Sequence, residues 1–177
     1  MLDFMSQRGN ECLLTAFLIA AGETDRYTEW KSRIDEGIEE HRQFCIGKYP
    51  DHPEWCEKQV GSAAHGYLPS DILRGLKKSG KKFTWKRLIG PATSFTHLLK
   101  RKEILVITGV ATESDIKTNM EALEKAEHRR GGQLHAVCLY NGTLYDPGQA
   151  KARRVSPQKL RAAIRRIRRV YIVSLNS

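Results

Sequence analysis

The chain has 177 residues, of which 40% are hydrophobic. That is enough to bury one sizeable core, and a single domain over residues 1–177 is the expectation for this length. Thirty Lys and Arg against 20 Asp and Glu give a formal charge of +10, which favours acidic proteins or phosphates as partners and excludes nothing in chemistry. The longest apolar stretch, residues 13–21, is far shorter than the roughly 20 residues that span a bilayer, and Met1-Leu2-Asp3 lacks the basic start of a signal peptide. A soluble cytoplasmic protein with no membrane contact is therefore expected.

In chain order, Asn10 is a good N-cap, and residues 11–21 read as a helix apolar on nearly every side, ended by Gly22. Such a helix belongs in a core. Residues 24–57 are charged, with apolar points at Tyr27, Trp30, Ile34, Ile38 and Phe44, which predicts one amphipathic helix and then a loop through Lys48, Tyr49 and Pro50. Pro69-Ser70-Asp71 opens a short helix with Ile72, Leu73 and Leu76 as its buried stripe and Gly80 as its stop. The run EILVITGV at 103–110 is apolar and rich in β-branched residues, a buried strand. Residues 114–130 read as a helix stopped by Gly131-Gly132, and 134–146 as two short strands around Asn141-Gly142, the strongest short hairpin signal. Ser156-Pro157 caps a last helix with the stripe Leu160, Ala163, Ile164 and Ile167, followed by a strand over 170–175. Helices precede a mainly antiparallel sheet, so the class is α+β. Linkers, repeats and low-complexity tracts are not visible.

The hairpin allows a geometric deduction. With Asn141 and Gly142 as the turn, Tyr140 pairs with Thr143, Leu139 with Leu144, Cys138 with Tyr145 and Val137 with Asp146. His135 then shares a face with Asp146 as its diagonal neighbour, about 7–8 Å away between backbones, a gap that the two side chains can bridge. Cys138 points to the opposite face and is a poor partner for His135. Cys12 is the better nucleophile, because it lies in the first turn of a helix, where unpaired N–H groups and the helix dipole favour a thiolate and can hold an oxyanion. Gln7 and Asn10 are both available side-chain amides for that second task.

Gln7-Arg8-Gly9-Asn10-Glu11-Cys12 at the head of an apolar helix, followed by His135 on one strand and Asp146-Pro147 at the end of the next, resembles papain-like cysteine peptidases, in particular the compact kind that process bacterial leader peptides. The resemblance implies a helical part carrying the Cys, a sheet carrying His and Asp, and a cleft between them. It also implies an oxyanion-hole Gln upstream of the nucleophile, for which Gln7 stands, and hydrolysis of a peptide or isopeptide bond through a thioester without metal or cofactor. In the family that Gln typically lies six positions before the Cys and a small residue follows it; here the distance is five and Leu13 follows. Deubiquitinases, deamidases and acyltransferases use similar constellations, so the reaction stays open among them.

Two further constellations have their own readings. His41 with Cys45, and His52 with Cys56, stand at i and i+4 and could together close a tetrahedral zinc site. Against this, the spacings match no common zinc module, and the four cysteines, too scattered for a disulfide framework, read as reduced thiols. Arg161, Arg165, Arg166, Arg168 and Arg169, preceded by Lys151, Arg153 and Arg154, form a basic C-terminal helix able to meet phosphates or an acidic protein. They support the rival class, a non-catalytic module binding nucleic acid or an acidic protein, although no stacking motif or helix-turn-helix pattern accompanies them.

Overall fold

The computed structural model describes residues 1–9, 11–61, 66–80, 83–88, 94–110 and 134–175, and only the backbone at 83, 134 and 175. Asn10, the helix expected over 114–130 and its Gly131-Gly132 stop lie outside the described residues. The remaining chain is α+β: helices come first and pack on an antiparallel sheet. None of its helices is long and apolar enough to cross a membrane.

Helix α1 runs Cys12–Ala21, and every residue from Leu13 to Ala21 is buried, as its apolar surround dictates. Gly22, at φ 66°, takes the left-handed cap conformation and, with Glu23, returns hydrogen bonds to Ile19 and Leu18. A short 3₁₀ turn at Thr24–Arg26 leads into α2, Tyr27–Lys48. Tyr27, Trp30, Ile34 and Ile38 are buried as their spacing predicts, but Phe44 is 63% exposed and Cys45 takes the inward position. One residue is about 100° on a helix, and the stripe 34, 38, 45 has already turned away from position 44. The loop expected after Lys48 contains instead a further short helix, α3, Pro53–Glu57.

Helix α4, Pro69–Ser79, starts at its Pro and ends at Gly80 as expected. Its inward face is Asp71, Ile72 and Gly75, and Leu73 is exposed where it was expected inside. The reason is the close crossing with α2: a Cβ at Gly75 would lie 2.5 Å from Ile34 Cγ1, and one at Gly37 would lie 2.9 Å from Arg74 Cβ. The two glycines set the contact face, and Leu73 falls outside it. Asp71 is fully buried, with Oδ2 accepting from Gly61 N at 2.9 Å and Leu68 N at 2.6 Å, and Oδ1 from Arg74 Nη1 at 2.6 Å.

The sheet contains β1 (Phe83–Arg87), β2 (Ile104–Val110), β3 (Leu134–Tyr140), β4 (Thr143–Tyr145), β5 (Arg153–Arg154) and β6 (Arg166–Leu175) in the order β1-β6-β2-β3-β4-β5. Strands β1 and β5 and the short helix α5, Phe95–Leu99, carry no periodic signal long enough to have been expected. The β3–β4 hairpin has the deduced pairing, Cys138 with Tyr145, Leu139 with Leu144 and Tyr140 with Thr143. Asn141 and Gly142 both take positive φ, 49° and 72°, as a two-residue turn of the type I′ kind requires.

Alternation along the strands gives the sheet two buried faces. Val106, Ala136, Cys138, Tyr171 and Val173 pack with α1, α2 and α4 on one side. Leu105, Ile107, Val137, Leu139 and Val170 pack on the other against Leu98 of α5 and against Leu160 and Ala163 of α6, Pro157–Ala163. Ser156 Oγ caps α6 by accepting from Lys159 N at 3.3 Å.

The basic C-terminal helix is a misreading. Ile164, at φ −130° and ψ 105°, is already extended, and Ile167 lies in a ten-residue β6. Leu160, Ala163, Ile164 and Ile167 satisfy a helical period locally, but pairing of Arg166 through Val173 with β2 supplies a ladder that a longer helix would forfeit. Of the five arginines only Arg161 is helical. Arg165 lies in the turn, and Arg166, Arg168 and Arg169 lie on β6.

Candidate functional site

Cys12 is the first residue of α1 and is only half-buried, unlike the nine residues after it. The residue before it, Glu11, does not cap the helix with its side chain. Its carboxylate is buried and turns towards α2, accepting a hydrogen bond from the Tyr27 hydroxyl and lying 3.9 Å from Lys31 Nζ. Burial and the Glu11 carboxylate push the Tyr27 phenol up to about 12, so it stays a donor at neutral pH.

His135 lies at the start of β3, and Asp146 immediately follows β4. The hairpin brings them to 2.8 Å between His135 Nε2 and Asp146 Oδ1. Asp146 is 5% exposed and is held from behind by Gly148 N, which donates to the same oxygen at 3.0 Å. Gly148 stands so close that a Cβ there would lie 3.4 Å from Asp146 Oδ1 and 3.7 Å from His135 Cε1.

The other partner of the His135 ring is Cys12. Burial alone would drive the imidazole towards its neutral form. Hydrogen bonds and charge from Asp146 and Cys12 outweigh it and raise His135 to about 10. The ring is therefore a cation at neutral pH, between a carboxylate and a sulfur. Cys138 is remote from this chemistry: it is fully buried beneath α1, where burial pushes its thiol far up.

Gln7 reaches the same neighbourhood through the backbone. Segment 2–7 runs beside 145–149, with Leu2 N donating to Tyr145 Oη at 3.2 Å, Ser6 Oγ to Gln149 O at 3.3 Å and Gln7 N to Pro147 O at 2.9 Å. The Gln7 side-chain Nε2 donates to Gly9 O at 3.0 Å, and Oε1 is buried without a partner among the described residues. Arg8 stacks its guanidinium 4.5 Å above the Tyr27 ring, tying the strand-like entry of the chain to α2.

Sequence reasoning missed the polar chain that continues from Glu11. Lys31 Nζ lies 2.5 Å from Asp35 Oδ2 and 3.1 Å from Tyr67 Oη, and Tyr67 Oη donates to Asp35 Oδ1 at 2.8 Å. Spacing was the available signal, because Tyr27, Lys31 and Asp35 recur every four residues and so share one face of α2.

The zinc constellation is not assembled. His41 Nε2 lies 3.5 Å from Cys45 Sγ and 3.3 Å from Gln59 Oε1, and Cys45 and Cys56 are buried side by side. His52 stands apart, stacked on Trp55 with 4.2 Å between ring centroids and 3.4 Å from Glu54. The helical i, i+4 relation of His52 to Cys56 fails because His52 is the extended residue before Pro53, outside α3. Among the described residues no three His, Cys, Asp or Glu side chains are grouped to hold a metal ion, and none of the four cysteines is in a disulfide.

What the arrangement offers is a half-buried sulfur at a helix head, a cationic imidazole against it, a buried carboxylate behind the imidazole and an amide-bearing segment alongside. No protein-family model matches the chain, and no curated protein matches it in sequence.

Proposed function

We propose that the protein is a papain-like cysteine hydrolase that cleaves a peptide or isopeptide bond, with Cys12 as nucleophile, His135 as acid and base, and Asp146 as the group that orients the ring. The observation that carries this reading is the 2.8 Å hydrogen bond between His135 Nε2 and Asp146 Oδ1, on a ring whose charged form both Asp146 and Cys12 favour. Since Nε2 is engaged by Asp146, proton exchange with Cys12 falls to Nδ1.

In the proposed mechanism the Cys12 thiolate, with the His135 imidazolium as its counter-ion, attacks the substrate carbonyl. The oxyanion is held by the backbone N–H of Cys12, with the Gln7 amide as second donor. His135 gives its proton to the departing amine, a thioester forms, and the neutral ring then draws a proton from water to release the acyl group. Asp146 keeps the ring oriented and stabilises its charged state throughout. No cofactor is required by these steps. The reading places the enzyme in the cytoplasm, where four cysteines outside any disulfide stay reduced.

The test is brief, substoichiometric iodoacetamide at neutral pH, with mass spectrometry of the intact protein. Selective labelling of Cys12, slowed in His135→Ala, is the expected result. Sluggish labelling of all four cysteines, unaffected by that substitution, would sink the mechanism.

A further inference from the structure

Glu11 is the N-cap residue of α1, immediately before Cys12. Its carbonyl oxygen accepts from Thr15 N and from Thr15 Oγ1, both at 3.0 Å, which starts the helix. Glutamate is not among the residues that N-caps favour; Ser, Thr, Asp and Asn are, because their side chains reach the N–H groups of the first turn. A carboxylate at this position also sets a negative charge beside the sulfur that the hydrolase reading needs as a thiolate, and like charge disfavours that form. Glu11 is 4% exposed, so water and salt screen it little.

Both carboxylate oxygens of Glu11 are engaged on the α2 side. The side chain makes no cap hydrogen bond; Oε2 accepts from the Tyr27 hydroxyl, and Oε1 lies 3.9 Å from Lys31 Nζ. Lys31 is fixed in turn, because Nζ donates to Asp35 Oδ2 at 2.5 Å and to Tyr67 Oη at 3.1 Å, while Tyr67 Oη donates to Asp35 Oδ1 at 2.8 Å. Tyr27 is buried, and its ring carries the Arg8 guanidinium 4.5 Å from the centroid. Its phenol, pushed up to about 12 by burial and then by Glu11, keeps its proton through the neutral range. Cys12, the next residue in the chain, meets His135 and through it Asp146 on the sheet. Arg8 and Glu11 lie on its own segment, and Tyr27 and Lys31 on α2, with Asp35 and Tyr67 behind Lys31.

We propose that Tyr27 and Lys31 are positioning residues for the nucleophile: they hold the Glu11 carboxylate against α2 and offset its charge there, so that it neither caps the head of α1 nor opposes a negative charge on Cys12. Without the Tyr27 hydroxyl the carboxylate loses the donor that turns it away from the first-turn N–H groups, and without the Lys31 ammonium its charge stands uncompensated one residue from the sulfur. The proposal rests on the hydrolase reading for its purpose, and its test separates the two.

The test is the rate of Cys12 alkylation by iodoacetamide as a function of pH, read by peptide mass spectrometry from about pH 4 to 9. It compares wild type, Tyr27→Phe, Lys31→Met, Glu11→Gln and the double variants Tyr27→Phe/Glu11→Gln and Lys31→Met/Glu11→Gln. A negative charge nearer the sulfur means that a higher pH is needed to form the thiolate. The acid limb of the profile should therefore move up by about 0.5 in pH in Tyr27→Phe and Lys31→Met, a rate roughly threefold lower at a fixed pH on that limb. Removing the carboxylate removes the cause, so Glu11→Gln should return both double variants to the wild-type limb or below it, and Glu11→Gln alone should not slow labelling. Limbs unmoved in the two single variants overturn the proposal. So does a shift that Glu11→Gln leaves in place or deepens, since a purely structural loss would add to a structural loss. If wild-type Cys12 labels no faster than the other cysteines, the hydrolase reading fails, and reversal by Glu11→Gln still decides the role of Tyr27 and Lys31. Thermal melts confirm folding; Lys31→Met, at a part-exposed side chain, carries the test if Tyr27→Phe does not fold, and Glu11→Ala replaces Glu11→Gln on the same ground.

Discussion

His135 is 15% exposed in its side chain, yet its partners keep it charged to about pH 10. The folded chain favours the charged form relative to the ordinary midpoint of 6.5, so the stability it lends is complete below that value and is lost as pH rises through about 10. The gap in melting temperature between wild type and His135→Gln should accordingly narrow as pH is raised from 6 to beyond 10. Following the ring protons of His135 by NMR, we expect a midpoint far above 6.5 in wild type and one displaced towards 6.5 in Asp146→Asn. A wild-type midpoint near 6.5 would remove the cationic ring from the mechanism. On substrate, Cys12→Ala should abolish turnover, His135→Ala should lower kcat by roughly 10²–10⁴-fold, and Asp146→Ala should cost less.

At the scale of elements, one device sets the site and a second holds the helical layer together. The Asn141-Gly142 turn sets the hairpin register, and a one-residue slip would move Asp146 to the face away from His135. Gly142→Ala forces a side chain into left-handed φ and should cost about 1–2 kcal/mol in urea unfolding. The second device is the α2–α4 contact. Gly75→Ala places its methyl against Ile34, a fully buried side chain, and should destabilise by about 1–3 kcal/mol. Asp71→Ala should cost about 3 kcal/mol, because it leaves two backbone N–H groups and the Arg74 guanidinium unpaired beneath the surface.

At the scale of the whole molecule, α1 unites the site with the core. It packs across β3, β2 and β6 while its ring at Phe17 meets Trp30 of α2 and Trp85 of β1 edge-on, at 5.2 and 5.6 Å between centroids. Cys12 thus heads a helix buried along its length, and the precision of its approach to His135 depends on residues far from the chemistry. Phe17→Ala should lower stability by about 3–5 kcal/mol and slow Cys12 labelling even where the protein remains folded. Unchanged labelling in folded Phe17→Ala would show that the helix head is held by its local contacts alone.

The sequence by itself determined what depends on neighbours within a few positions. The apolar helix ended by Gly22, the register of the Asn141-Gly142 hairpin and the shared face of His135 and Asp146 all follow from periodicity and turn stereochemistry, which act over a handful of residues. Only the tertiary structure decided the rest. Leu73 is turned outward because the α2–α4 contact is set by Gly37 and Gly75, a pairing that spacing along one helix does not reveal. The final segment satisfies a helical period but becomes β6, because a partner strand more than fifty residues earlier in the chain offers it a ladder. His52 leaves the Cys45 and Cys56 pair because α3 begins one residue too late to carry it. The meeting of Cys12 with His135 likewise depends on how α1 docks on the sheet, a contact between residues more than a hundred positions apart on which local propensity has no purchase.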